Sequence, residues 1–397
     1  MAYLTIDDLN VKSKKVLMRV DFNVPLDANC NITDDFRIRA AIPSIKKLVD
    51  KGAKVILMSH LGRPKGEKKP ELSLKPVAVR LQKDFEHVAF VPDCIGEKVE
   101  KVVNELKDGA VLLLENLRYY KEEKKNNPEF AEKLAKLGDL YVNDAFGTSH
   151  RAHASMAGVA EHFEERAAGY LLEKELKYLG ETLETPEGPY TAILGGAKVS
   201  DKIEIIKSLM PKVQNLIIGG GMSFTFLKAQ GYEIGKSMLE EDKLELAKEI
   251  MAEAEAQNCK IYLPVDAVIA SEVSDKASTD IVSMKAFPSD KLGLDISSDT
   301  EKVFGKVLDK SKTVLWNGPM GVFEIEKFAK GTEFIARKLA EITAKGAITI
   351  IGGGDSAAAI KKFNLSDKVS HVSTGGGASL EMISGEPMIP LTLITKK

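Results

Sequence analysis

AITIIGGGDSAAAIKK, Ala347–Lys362, is the stretch whose reading decides the fold. Ala347–Ile351 is mostly apolar or β-branched and predicts a buried strand. Gly352–Gly354 predict a tight turn, Asp355 and Ser356 follow, and Ala357–Lys362 predicts a helix. Glycines let the backbone approach closely, and unpaired N–H groups at a helix start point at a ligand, so the stretch reads as an anion site. Asp355 inside that turn would repel a phosphate unless a cation lay between them. A phosphate chain carrying Mg²⁺ satisfies this, since Mg²⁺ takes one or two carboxylates plus phosphate oxygens. The alternative is that Asp355 or Ser356 merely caps the helix.

Three more strands of the second half end in glycine turns. Ala192–Leu194 runs into Gly195-Gly196-Ala197-Lys198, Leu216–Ile218 into Gly219–Gly221, and Lys368–Ser373 into Gly375–Gly377. One helix, Asp201–Met210, separates the first two turns, and one helix separates the last two. Each pair therefore predicts a right-handed βαβ unit with both turns on one sheet edge. That edge would offer free N–H groups to a polyphosphate. Lys198 and Lys202 stand four apart beside the first turn, placed to supply point charge to a transferring group. Thr313–Glu324 predicts another strand and an Asn-Gly-Pro turn, with Glu324 able to accept from ribose hydroxyls. Ser271–Ser298 has little periodicity and reads as a long surface excursion.

Strands and amphipathic helices alternate in the first half, which predicts a parallel sheet covered by helices. Lys15–Val20 leads to Asp21-Phe22-Asn23, and Lys54–Ser59 to His60-Leu61-Gly62-Arg63. Ala110–Leu114 leads to Glu115-Asn116-Leu117-Arg118, and Leu140–Asn143 to Asp144, then His150 and Arg151. Ligands bind outside the carboxyl ends of parallel strands, so His60, Arg63, Arg118 and Arg151 would gather on one rim. Arg37 sits in the first turn of a helix predicted to start after Thr33 or Asp34, against the helix dipole, as a residue serving an anion would. The rim reads as a pocket for a small ligand with more than one negative group. His150 and His153 lack the cysteine or acidic partners of a metal pair, and His87, His162 and His371 read as structural.

The chain has 397 residues and a net charge of -2, which predicts two domains and no general attraction for nucleic acid or membrane. Three widely spaced cysteines, Cys30, Cys94 and Cys259, fit a reducing compartment. The acidic start MAYLTIDDLN does not read as a signal peptide, and the apolar runs are too short to span a bilayer, so a cytoplasmic protein is expected. Leu172, Leu176, Leu179 and Leu183 form one helical stripe from about Tyr170 to Glu184, ended by Thr185-Pro186-Glu187-Gly188-Pro189. That helix is a plausible connector for two closing halves.

Gly352–Ala357 satisfies the dinucleotide pattern G-x-G-x-x-A, but no acidic residue follows about 20 positions later. Neither a G-x-x-x-x-G-K-[ST] loop nor a protein-kinase signature is present. A two-lobed phosphotransferase remains, with an oxidoreductase and a non-catalytic anion-binding protein as rivals.

Long motifs then carry a family resemblance: RVDFNVP (Arg19–Pro25), SHLGRP (Ser59–Pro64), ENLRYY (Glu115–Tyr120) and NDAFGTSHRAH (Asn143–His153) in the first half. The second half adds LGGAKVSDKI (Leu194–Ile203), GGGMSFTFLK (Gly219–Lys228), WNGPMGVFE (Trp316–Glu324), GGGDS (Gly352–Ser356) and STGGGASLE (Ser373–Glu381). In order and over essentially the whole chain, these resemble phosphoglycerate kinase. The resemblance implies two Rossmann-like α/β domains with parallel sheets, joined by a connecting helix with a cleft between them. Residues 1–170 would bind phosphoglycerate, 171–185 would connect, and 186–381 would bind nucleotide, with a tail from about 382 to 397 returning to the first domain.

The implied reaction is reversible phosphoryl transfer between ATP and the carboxylate of 3-phosphoglycerate, with Mg²⁺, in a monomer. By the family pattern Asp21, Asn23, Arg37, His60, Arg63, Arg118 and Arg151 would hold the phosphoglycerate. Lys202, Gly219, Gly220, Gly293, Asn317, Glu324 and Gly352, Gly353, Gly354, Asp355 and Ser356 would hold ATP or ADP, with Asp355 on the metal. Arg37, Lys198, Lys202, Gly354 and Gly377 would act on the transferring phosphoryl.

Overall fold

The apolar runs of the first half become a single parallel sheet in the computed structural model, which describes residues 3–396. Its strands are β1 (Lys15–Val20), β2 (Lys54–Met58), β3 (Val88–Val91), β4 (Val111–Leu114), β5 (Leu140–Asp144) and β6 (Arg166–Ala168). They lie in the order β3-β4-β2-β1-β5-β6, and every pairing is parallel. Helices cover both faces, so the central strands must be apolar on both sides. Val16, Met18 and Val20 of β1 enter one core, and Leu17 enters the other. Arg19 shares Leu17's face and is fully buried there.

The chain divides into two units, Met1–Lys177 with Pro387–Lys397, and Tyr178–Glu386. The C-terminal segment returns to the first unit: Thr395 N donates to Arg166 O at 2.9 Å, and Leu4 N donates to Thr395 O at 2.8 Å. Met382 stays in the helix Gly376–Ser384 of the second unit, so the return begins at Pro387. Met1, Ala2 and Lys397 lie outside the described residues.

The leucine stripe lies on a continuous helical run, Tyr170–Glu175, Leu176–Glu181 and Thr182–Glu184. Its middle piece is π-helical, a wider turn that shifts the register of the stripe. Leu172, Leu179 and Leu183 are buried, while Leu176 is half-buried. The helix Phe36–Asp50 starts one residue later than read, with Asp35 at its cap, and Asp34 Oδ1 accepts from Phe36 N at 2.9 Å.

The second unit holds β7 (Tyr190–Leu194), β8 (Asn215–Ile218), β9 (Lys260–Tyr262), β10 (Asp266–Ala270), β11 (Asp280–Ser283), β12 (Leu292–Ile296), β13 (Thr313–Asn317), β14 (Ile348–Gly352) and β15 (His371–Val372). Six form a parallel sheet in the order β15-β14-β13-β7-β8-β9. The paired glycine turns do follow neighbouring strands, β7 beside β8 and β14 beside β15. The surface-excursion reading of Ser271–Ser298 is corrected: β11-β10-β12 form a three-stranded antiparallel sheet. Strand β11 is an edge with little buried surface, and β12 carries Gly293 and Asp295, so neither shows the alternation that marks a strand.

At the end of β5, Asp144 is fully buried and accepts from Leu172 N at 3.0 Å through Oδ1, while Oδ2 has no partner among the described residues. Burial pushes its carboxyl up to about 7. The folded chain therefore keeps a proton that the unfolded chain releases near pH 4, and stability falls as pH rises from there toward 7. Asp144→Asn removes that dependence. Urea unfolding at pH 5, 6 and 7 should show the variant gaining on the parent by on the order of 1 kcal/mol per pH unit; a constant difference would count against the buried proton.

Candidate active site

In the first unit the order of connections reverses between β1 and β5, the place where open parallel sheets bind ligands. Asp21 and Asn23 follow β1, His60 follows β2, and Arg118 follows β4. Arg37 Nη1 donates to Asp21 Oδ2 at 3.0 Å and to Asn23 O at 3.2 Å. Gly62 N donates to Asn23 Oδ1 at 2.9 Å, which ties the end of β1 to the turn after β2. Arg118 is nearly buried; Nη1 donates to Gly62 O at 2.9 Å, and its Nε and Nη2 have no partner among the described residues. Two buried donors on one guanidinium without acceptors describe a site awaiting an anion.

Electrostatics agree with that reading. Burial, then Arg19 and Arg151, bring the Arg118 guanidinium down to about 10. Burial followed by Arg118, Arg151 and Arg63 also lowers Lys124. Arg63 and Arg151 are exposed, and Arg37 is half-buried. Arg37 and Arg118 both act on His60, and Arg63, Arg118 and Arg151 all act on Lys124, so Arg118 is within electrostatic reach of the same groups as each of the other three arginines read from the sequence. His150 accepts from Arg151 Nε at 2.9 Å, and burial holds it near 4. Burial also holds His153 near 3, so its 3.8 Å approach to Glu123 is not an ion pair at neutral pH.

Sequence reasoning missed the layer beneath this rim. Arg19 Nε donates to Ser155 Oγ at 2.9 Å, and Ser155 Oγ donates to the fully buried Glu123 at 2.6 Å. The signal for Arg19 was a charge inside the apolar run KVLMRV. Glu123 and Ser155 gave none, because their pairing spans 32 residues.

In the second unit the reversal falls between β7 and β13. The glycine turns there are less open than expected. Gly195 N donates to Asn317 O at 2.9 Å, Gly196 N to Pro319 O at 3.0 Å, Gly219 N to Leu194 O at 2.9 Å and Gly220 N to Met320 O at 3.2 Å. Close approach explains the glycines instead: Gly220 has φ +64°, and a Cβ there would lie 2.6 Å from Gly196 N. The result is a cavity of about 440 Å³ walled by Gly220, Gly293, Met320, Glu324 and Asp355 among others. Phe224, Met238 and Leu294 give it an apolar side, suited to a flat ring.

Beside the cavity, β14 turns through Gly353, φ +87°, into the helix Gly354–Lys362. A Cβ on Gly353 would lie 2.7 Å from Asn317 Nδ2. Asn317 Oδ1 accepts from Lys202 Nζ, and Asn317 Nδ2 is buried without a partner among the described residues. Burial lowers the Lys202 ammonium, and Asp355 and Asp201 oppose that shift. Ser379 Oγ accepts from Gly353 N at 3.3 Å and donates to Gly376 O at 2.7 Å, joining this turn to the helix that holds Gly377. The first turns of both helices present N–H groups with no intrahelical acceptor. Lys198, Glu324 and Asp355 are exposed. No group of three or more metal-ligating side chains occurs among the described residues.

The sequence model of the family described as phosphoglycerate kinase matches residues 6–386. The chain belongs to the phosphoglycerate kinase family. Over 385 residues it is 57% identical to the cytosolic phosphoglycerate kinase of Triticum aestivum, covering 97% of this chain and 96% of the relative. The phosphoglycerate kinase of Chlorobaculum tepidum is 54% identical over 385 residues, 97% of each chain. The solved structure of phosphoglycerate kinase from Coxiella burnetii superposes with a TM-score of 0.90 at 41% identity, over 99% of this chain and 98% of that one. Family membership makes the chain an enzyme of phosphoryl transfer, which removes the oxidoreductase and the non-catalytic binding protein.

Ser356 is fully buried, and its hydroxyl accepts from Gly318 N at 2.6 Å. That bond fixes the turn after β13 against the helix start. Ser356→Ala leaves a buried N–H without an acceptor, and unfolding in urea should show a loss of about 1–3 kcal/mol.

Proposed function

We propose that the chain transfers a phosphoryl group reversibly between ATP and the carboxylate of 3-phosphoglycerate, giving ADP and 1,3-bisphosphoglycerate. The observation that carries this reading is Arg118, whose two buried donors have no partner among the described residues and which acts on the same neighbouring groups as Arg37, Arg63 and Arg151. A small ligand with a phosphate and a carboxylate supplies the missing acceptors. The cavity of the second unit, with apolar walls, Glu324 and two helix starts beside it, would take the nucleotide.

The acceptor carboxylate, with a pKa of about 3.5, is already ionised at neutral pH. Attack on the terminal phosphorus therefore needs no general base. It needs two anions held in line while their charge is neutralised. Arg37 would shed its contact with Asp21 to meet the transferring phosphoryl, and Lys202, desolvated against Asn317, would meet it from the nucleotide side. Lys198 and the N–H groups of Gly354 and Gly377 complete the donor set. Domain closure would bring acceptor and donor together and exclude water.

The fit to Mg²⁺ rests on Asp355, a single exposed carboxylate at a helix start that otherwise favours anions. With phosphate oxygens as further ligands it meets the preference of that ion. Bound there, Mg²⁺ would neutralise phosphate charge. A cytoplasmic monomer completes the proposal; no helix among the described residues is long and apolar enough to cross a membrane.

ADP release, coupled to a reporter and dependent on 3-phosphoglycerate, is the direct test. Arg37→Ala and Lys202→Ala should each lower turnover on the order of 100-fold, and near-normal turnover in either removes that residue from the transfer. Asp355→Asn should raise the Mg²⁺ concentration needed for half-maximal rate; an unchanged titration takes Asp355 off the metal.

A further inference from the structure

His60 stands at the end of β2 and is only 2% exposed, and its Nδ1 lies 3.1 Å from Arg19 Nη2. A guanidinium has five N–H donors and no acceptor. The Nδ1 atom must therefore be the lone-pair nitrogen, which leaves the single ring proton of a neutral imidazole on Nε2. Arg19 itself has no freedom to turn away. Its Nη1 donates to Val20 O and its Nε to Ser155 Oγ at 2.9 Å. The serine is fixed in turn, because its hydroxyl proton goes to Glu123 Oε1 at 2.6 Å while its own N–H goes to Glu123 Oε2 at 3.0 Å. Arg19 thus donates along both arms, to Ser155 on the Glu123 side and to His60 on the other, and each member is buried.

From this chain of directed bonds we infer that Arg19 is a positioning residue that locks His60 as the neutral Nε2–H tautomer, so that the site meets its acid ligand with a fixed neutral donor among cations. The inference about the ligand rests on the reading of this rim as the 3-phosphoglycerate site; the inference about the tautomer does not. The groups facing His60 agree with a ring that stays uncharged. Burial is the main cause holding the imidazole well below its ordinary range, followed by Arg19, Arg118, Arg37 and His153. An imidazolium would add one more positive charge to that set and turn a donor toward Arg19.

The lock has a chemical use. A cationic histidine would make affinity for the ligand follow its own titration near pH 6.5. A neutral donor removes that dependence and leaves the guanidinium groups, charged throughout, to carry the attraction.

Long-range ¹H–¹⁵N spectra of the full-length protein, without ligand, test the inference directly. The His60 signals, assigned by their loss in His60→Gln, should show an unprotonated Nδ1 and a protonated Nε2 from pH 5 to 8. A protonated Nδ1 anywhere between pH 6 and 8 overturns the lock. In Arg19→Met burial and Arg118 still hold the ring neutral, but the donor that fixes its tautomer is gone, so a protonated Nδ1 should appear beside the protonated Nε2. The KM of the variant for 3-phosphoglycerate should then rise roughly twofold or more at every pH from 5.5 to 7.5, while that for ATP stays flat. A variant ring that keeps the parental tautomer alone also overturns the assignment to Arg19. Should Arg19→Met fail to fold, the parental spectra still decide. Adding 3-phosphoglycerate separates the two readings: a locked ring whose signals ignore the ligand supports the lock and removes the ligand assignment instead.

Discussion

Glu123 has no exposed surface, yet it lies in a region otherwise built from positive charge. Its carboxylate holds Ser155 by both N–H and hydroxyl, and Ser155 holds Arg19. Arg19 and Arg118 both feel its negative charge. Without a buried counter-charge, the guanidinium groups gathered around the ends of β1, β2 and β4 would repel one another into solvent. Glu123 and Asp21 compensate these charges from within, while Nε and Nη2 of Arg118 have no partner among the described residues.

The two halves answer the same problem, holding an anion, with different chemistry. The first uses side chains: long, planar cations set at strand ends and braced by Asp21, Asn23 and Glu123. The second uses backbone and shape. Its glycine turns spend most of their N–H groups on one another and on neighbouring carbonyls, which lets the segments at the end of β7 and β8 approach closely enough to shape a cavity. The two helix starts, joined by Ser379, add first-turn N–H groups with no intrahelical acceptor. A small, highly charged acid suits the first arrangement, and a larger ligand with a flat apolar ring and a phosphate chain suits the second.

Much of this was legible along the chain. The strands β1, β2, β4, β5, β7, β8, β13 and β14 appear as apolar runs because each is buried on both faces, and the residue after each run is a candidate ligand because the sheets are parallel. The helical run from Tyr170 to Glu184 showed in its leucines, although its π-helical middle did not, since no residue type marks a π-turn. Strands β10, β11 and β12 were hidden: a two-sided edge with Ile281 exposed and a strand interrupted by Gly293 and Asp295 carry no period.

The sequence by itself determined the fold class and the family, because those follow from local burial, from turn chemistry and from motifs read in order. Tertiary structure alone decided which of those groups are already engaged. Ser356 serves Gly318, Arg37 rests on Asp21, and the ring of His60 is directed by an arginine 41 residues away. Hydrogen bonds of that kind join residues by position in space, and a string of letters records only their order.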